Sequence, residues 1–219
     1  MGEIVRRALA YPYATPGHSF VLAAGRVLEL PETGPDLRGR TALLAYGSNA
    51  APEALTRKLA AIPDVPLPVL RAELSDFDVV YSAHVSPHGS VPATLRRSPG
   101  TTAAVHVVYP DGEQLPLLAA TEPNYELSRL WSISCRLEDG PTLDELDAFV
   151  SRHGCLSVAN AALALAEIEA SGRRLAATTQ PRLLEHVRSQ LAPRLSLADF
   201  IAACVETGGL APLPELTPL

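Results

Sequence analysis

The chain has 219 residues, 47% of them hydrophobic and 19% charged, a globular balance that excludes the polar, weakly hydrophobic composition of disordered segments. Its formal net charge is -6 with Lys and Arg scattered, so no basic stripe is available to neutralise phosphates and nucleic acid is not an expected partner. No run approaches the roughly 20 apolar residues of a membrane helix, the opening MGEIVRRALAYPY has no signal-peptide core, and Arg6 stands where myristoylation of Gly2 needs Ser or Thr.

The expected location is therefore the cytoplasm, with no membrane partner. Three cysteines, Cys135, Cys155 and Cys204, are an odd number at wide spacing, which fits packed thiols better than a disulfide framework or a CxxC metal site.

Residues 1–40 carry Pro12, Pro16, Pro31 and Pro35 and only short apolar stretches. They read as an extended N-terminal arm with a small hairpin turning at Ala24-Gly25. In TALLAYGSNAAPEALTRKLA, Ala42 to Tyr46 reads as a buried strand, followed by a tight turn and a helix whose first turn holds Pro52 and Glu53. Asn49 is the expected N-cap, and Pro and an acidic residue both suit the free N–H groups of that first turn. A strand feeding straight into a helix is a common place to hold an anion, because backbone N–H groups point outward there.

From Asp76 the pattern turns to strands: FDVVYSAHV, VPATLRR and TAAVHVVYP are rich in beta-branched and aromatic residues, with turn clusters SPHGS and SPGT between them. EQLPLLAATEPNYELSRL reads as a short helix interrupted by Pro123, and RLWSISCRLED as a further strand. SVANAALALAEIEAS, residues 157–171, fits either a helix capped by Ser157 or a hairpin turning near Ala159-Asn160. Two helices follow, one opening at Pro181 and one over 197–207, and the tail LAPLPELTPL reads as extended.

Three features stand in order: Tyr46-Gly47-Ser48-Asn49 after the first core strand, VPATLRRSPGTTAAVHVVYP, and then Glu122 with Tyr125 shortly after it. This order, over roughly residues 42–130, resembles the gamma-glutamylcyclotransferase family. The resemblance implies an α+β fold: a small mixed sheet or partly closed barrel of about five to seven strands flanked by helices. The expected divisions are an arm over 1–40, a cyclotransferase-like core over 41–135, and a mainly helical extension of the same domain over 136–219.

The implied reaction is attack of the alpha-amino group of a small gamma-glutamyl substrate on its own gamma-carbonyl, releasing 5-oxoproline without a metal or cofactor. Glu122 is the implied proton shuttle, and its apolar neighbours Leu117, Leu118, Ala119 and Ala120 suggest burial that raises its pKa. Gly47, Ser48 and Asn49 would hold the glutamyl group, Gly47 because a side chain there would block close approach, while Tyr46 and Tyr125 would form walls or donate hydroxyl bonds. Ala50, Pro123 directly after Glu122, and the long flanking segments depart from the family pattern and bear on the substrate.

Taken singly, each element has a plainer reading. Gly47-Ser48-Asn49 reads as a capping turn, Glu122 as an exposed or ion-paired acid, and Tyr125 as core. A serine hydrolase is improbable without a G-x-S-x-G elbow, and His84 and His88, separated by Pro87, read as solvated loop histidines rather than a metal pair. The alternatives to an enzyme are a binding protein using the same pocket for a small anionic metabolite or peptide, and a scaffold whose arms make oligomer contacts.

Overall fold

The computed structural model describes residues 2–218; Met1 and Leu219, the outermost residues of the expected arm and extension, lie outside the described residues. In chain order the elements are α1 (Glu3–Leu9), β1 (Phe20–Ala23), β2 (Arg26–Leu28), β3 (Leu43–Ala45), α2 (Pro52–Lys58), β4 (Leu67–Tyr81), β5 (Ala93–Val108), α3 (Gln114–Ala120), β6 (Tyr125–Leu137) and β7 (Thr142–Ser151). The short strands β8 (Ser157–Val158), β9 (Ala161–Ala162), β10 (Ala164–Leu165), β11 (Ala170–Ser171) and β12 (Ala177–Thr178) follow, then α4 (Gln180–Leu191) and α5 (Leu197–Glu206).

The mixed α+β fold is organised by a closed ring of five strands. β4 and β5 form a long antiparallel hairpin, β5 pairs with β3, β3 runs parallel to β7, β7 pairs with β6, and β6 returns to β4. Closure removes the open edges that would otherwise invite pairing with other chains. β3 is buried on both sides: Leu44 joins the main hydrophobic cluster, while Leu43 and Ala45 join a second one with Leu55 and Leu59 near α2, Leu118 of α3 and Phe20 of β1. The strand that carries the Tyr46–Asn49 turn is thus clamped from both faces.

Several expectations change. The arm begins with a helix: Val5 and Ala8 are buried three apart, and Glu3 and Arg6–Arg7 lie at the ends that suit the helix dipole. SPGT does not end a strand, because β5 runs through it. Asp76 (φ 61) and Gly100 (φ 82) face each other in a bulge where the register shifts, and Gly100 N–H donates to Asp76 Oδ1 at 2.8 Å. The extra residues are absorbed as a local kink, so two long strands replace the three short ones expected.

The open choice at 157–171 falls to the hairpin. Ala159 (φ 51) and Asn160 (φ 64) are both left-handed, as a two-residue hairpin turn requires, and the following strands pair with β4 and β5. Sheet pairing here overrides the helical preference of Ala and Leu. β7 lies beyond residue 135, so the barrel itself continues past the expected core boundary, and helices dominate only from Gln180. Among the described residues no helix is long and apolar enough to cross a membrane.

Candidate functional site

At the C-terminal end of β3 the chain turns at Gly47, makes one 3-10 turn over Ser48–Ala50 and enters α2 at Pro52. The residue at the helix cap is Ala51, without a side-chain bond, so Asn49 is not the cap expected from the sequence. Its amide is used elsewhere. Asn49 Nδ2 donates to Glu122 Oε1 at 3.0 Å, and Asn49 Oδ1 accepts from Lys58 Nζ at 2.7 Å.

These groups line a cavity of about 420 Å³ walled by the β3 turn, the end of α2, the segment after α3, the 84–93 loop and Tyr11 of the arm. Every site residue named from the sequence, Tyr46, Gly47, Ser48, Asn49, Glu122 and Tyr125, lines it. Glu122 sits in a tight turn closed by Glu122 N–H to Ala119 O and Tyr125 N–H to Glu122 O, both 3.0 Å. Its carboxylate forms an ion pair with Lys58, Nζ to Oε1 at 2.6 Å, with both side chains only slightly exposed.

The apolar enclosure expected for Glu122 is not what surrounds it. Leu118 turns into the second core cluster, Ala119 and Ala120 are exposed, and the partners of the carboxylate are polar. Both protein donors contact Oε1, which leaves Oε2 without a donor among the described residues.

Gly47 also has a different reason from the one expected. A Cβ there would collide with the Tyr11 hydroxyl, so the close approach that needs glycine is that of a neighbouring side chain. Tyr11 accepts from Ala93 N–H at 2.8 Å. Tyr46 donates to the Phe149 carbonyl and Tyr125 to the Ala93 carbonyl at 2.8 Å, so both hydroxyls are occupied and the rings serve as walls. Burial pushes Tyr11, Tyr46 and Tyr125 well above the ordinary phenol range, which keeps all three neutral.

Beside Tyr125, with ring centroids 5.9 Å apart, lies His84, read from the sequence as solvated but 1% exposed. Burial first, and then the neighbouring His153, push it down to about 4. The rings lie 4.7 Å apart. His88 stands at the lip with Arg57, and burial, followed by the charges of Arg7, Arg57 and Lys58, lowers its pKa.

Sequence reasoning missed Tyr11, Lys58 and His84. Lys58 ends the helix that follows the Tyr46–Asn49 turn, and that short spacing was a usable signal. Tyr11 gave none, because a single aromatic residue in a Pro-rich arm has no period to read.

No family model matches the chain, and no curated protein sequence matches it. Solved structures of similar fold include a gamma-glutamyl cyclotransferase, 16% identical, covering 52% of this chain and 68% of that one with a TM-score of 0.40. Another is an uncharacterised protein from Homo sapiens, 17% identical, covering 53% of this chain and 69% of that one with a TM-score of 0.42.

Proposed function

We propose that the protein is a gamma-glutamyl cyclotransferase-like enzyme that releases 5-oxoproline from a small gamma-glutamyl amine or peptide, using no metal or cofactor. The observation that supports this reading best is a carboxylate lining an open-mouthed cavity together with Gly47–Asn49, with one oxygen free of protein donors among the described residues.

In this mechanism Glu122 Oε2 accepts a proton from the substrate's alpha-ammonium, and the resulting amine attacks the gamma-carbonyl. The new C–N bond closes the lactam ring as the original amide C–N bond breaks. The alpha-nitrogen gives up two protons in all, and the leaving nitrogen takes up both and departs as an ammonium, so Glu122 ends as it began. Lys58 and Asn49 hold Oε1 and thereby aim Oε2, while the turn backbone offers N–H groups to the developing oxyanion. Tyr46 and Tyr125 shape the wall. Three unpaired thiols suit the reducing cytoplasm as the place of action.

A second reading is a binding protein that holds a small anionic metabolite or peptide without turnover. One set of observations favours it: Lys58 already occupies Glu122, Arg57 and His88 share the mouth, and Arg7, close enough to act on His88, has buried Nε and Nη2 donors with no acceptor among the described residues.

A panel of gamma-glutamyl amino acids, gamma-glutamyl amines and glutathione decides between them. Release of 5-oxoproline from any member is the expected result. Thermal stabilisation by a panel member with no release across the panel would replace the enzyme reading with the binding one.

A further inference from the structure

In the cavity wall beside Tyr125, a chain of hydroxyls ends at a histidine with one nitrogen unused. His84 and Ser82 are 1% and 0% exposed. His84 Nδ1 lies 2.7 Å from Ser82 Oγ, and Ser82 Oγ lies 2.6 Å from Ser151 Oγ. Ser151 Oγ also accepts from His153 N–H at 3.1 Å. His84 Nε2 is buried without a partner, on a residue that lines the cavity. Buried polar atoms are rarely left so, and each exception calls for a reason.

Proton counting along this chain favours one tautomer. If Ser151 donates to Ser82 and Ser82 donates to His84 Nδ1, every hydroxyl proton has an acceptor and His84 carries its proton on Nε2. In the reverse direction the proton of the partly exposed Ser151 has no acceptor among the described residues and must turn to solvent, because Ser82 is its single hydroxyl contact and the other contact is a donor. The His153 ring, 4.7 Å away and within 3.2 Å of Asn124 Oδ1 through Nε2, restricts how far His84 can swing.

We propose that His84 is a ligand-binding residue of this cavity, whose buried Nε2–H is uncovered by a small shift of the lining and donates to an oxygen acceptor of the occupant, a carboxylate or amide carbonyl. The inference rests on the cavity being the functional site proposed above, and not on the reaction assigned to it. A neutral imidazole there adds no charge to a cavity that Arg57 already makes cationic, the Lys58 charge being paired with Glu122. It selects for an oxygen at a fixed place rather than for net charge. It also gives a physical reason for a serine pair under a histidine: the hydroxyls set the ring's proton, and the ring offers that proton to the ligand.

The test uses the full chain labelled with nitrogen-15 in histidine, with His84→Phe identifying the His84 signals. Long-range proton–nitrogen correlation of the ring reads the tautomer, and titration with 5-oxoproline and with L-glutamate reads the contact. The expected result is a protonated Nε2 whose resonance moves on saturation. Calorimetry is expected to show His84→Phe weakening the same probes by about tenfold or more, with His84→Gln, which keeps an N–H donor, recovering part of the loss. An unprotonated Nε2, an Nε2–H signal that ignores a bound probe, or no binding of either probe would overturn the proposal. The wild-type spectra decide it even where His84→Phe fails to fold. If no gamma-glutamyl compound is turned over but Nε2–H responds, the reaction falls and this contact stands; if 5-oxoproline is released and Nε2 is bare, the reverse holds.

Discussion

Two ion pairs in this molecule use the same chemistry to opposite ends. Asp78 is fully buried, and Arg173 closes on it through Nε at 3.1 and 3.0 Å and Nη2 at 2.8 Å, while Val79 N–H takes Oδ1 at 2.9 Å and Arg173 Nη2 also reaches the Ile168 carbonyl at 2.9 Å. Both carboxylate oxygens are satisfied, and the pair ties the 168–173 segment to β4. Lys58–Glu122 satisfies one oxygen and leaves the other toward a cavity. A complete pair is a structural fastener, whereas an incomplete one at a cavity wall keeps an atom available for something else.

The largest expected stability effect separates these two roles. Asp78→Ala leaves the Arg173 guanidinium without its counter-charge and should cost about 3–5 kcal/mol in denaturant unfolding. Lys58→Met should cost less, about 1–3 kcal/mol, because the largely buried carboxylate it leaves behind keeps its Asn49 donor and borders a cavity that water can enter. Equal costs would break the comparison.

The cavity wall should also show itself through pH. His84 is held down to about 4 by burial and then by His153, and His106 to about 4 chiefly by burial, against about 6.5 in the unfolded chain. The unfolded state therefore binds protons that the folded state refuses. Stability is full above about pH 6.5 and falls between there and about pH 4, by roughly 3 kcal/mol for each group. Unfolding free energies measured across that window, with His84→Phe removing one share of the slope, provide the check.

A smaller effect tests the turn. Gly47→Ala drives a methyl group into the Tyr11 hydroxyl and should cost about 1–3 kcal/mol. Tyr11→Phe removes the obstructing oxygen while orphaning Ala93 N–H, so the double variant should be less destabilised than the sum of the single ones. Additivity would show that Tyr11 is not what requires glycine. The smallest change lies far from the cavity, where Ala159→Gly relieves a left-handed alanine (φ 51) and should gain about 0.5 kcal/mol in the same unfolding assay.

Much of the site was legible because its parts are local. The Tyr46–Asn49 turn follows directly from a buried strand, and Glu122 and Tyr125 lie three residues apart in one turn. What was not legible depends on distance along the chain. Glu122 meets Lys58 across 64 residues, and Tyr11 reaches Ala93 across 82; no local pattern encodes either contact. The strands around Gly100 and the 157–171 hairpin were harder for a related reason. Local propensity favours a turn at the first and a helix at the second, and pairing with the barrel decides both.

The most direct measurement of the proposed role of Glu122 is 5-oxoproline release by Glu122→Gln beside the wild-type protein, with the thermal midpoint of each recorded in parallel. The prediction is a loss of roughly a hundredfold or more in rate with the midpoint held within a few degrees. A folded Glu122→Gln protein that releases 5-oxoproline at the wild-type rate would contradict it.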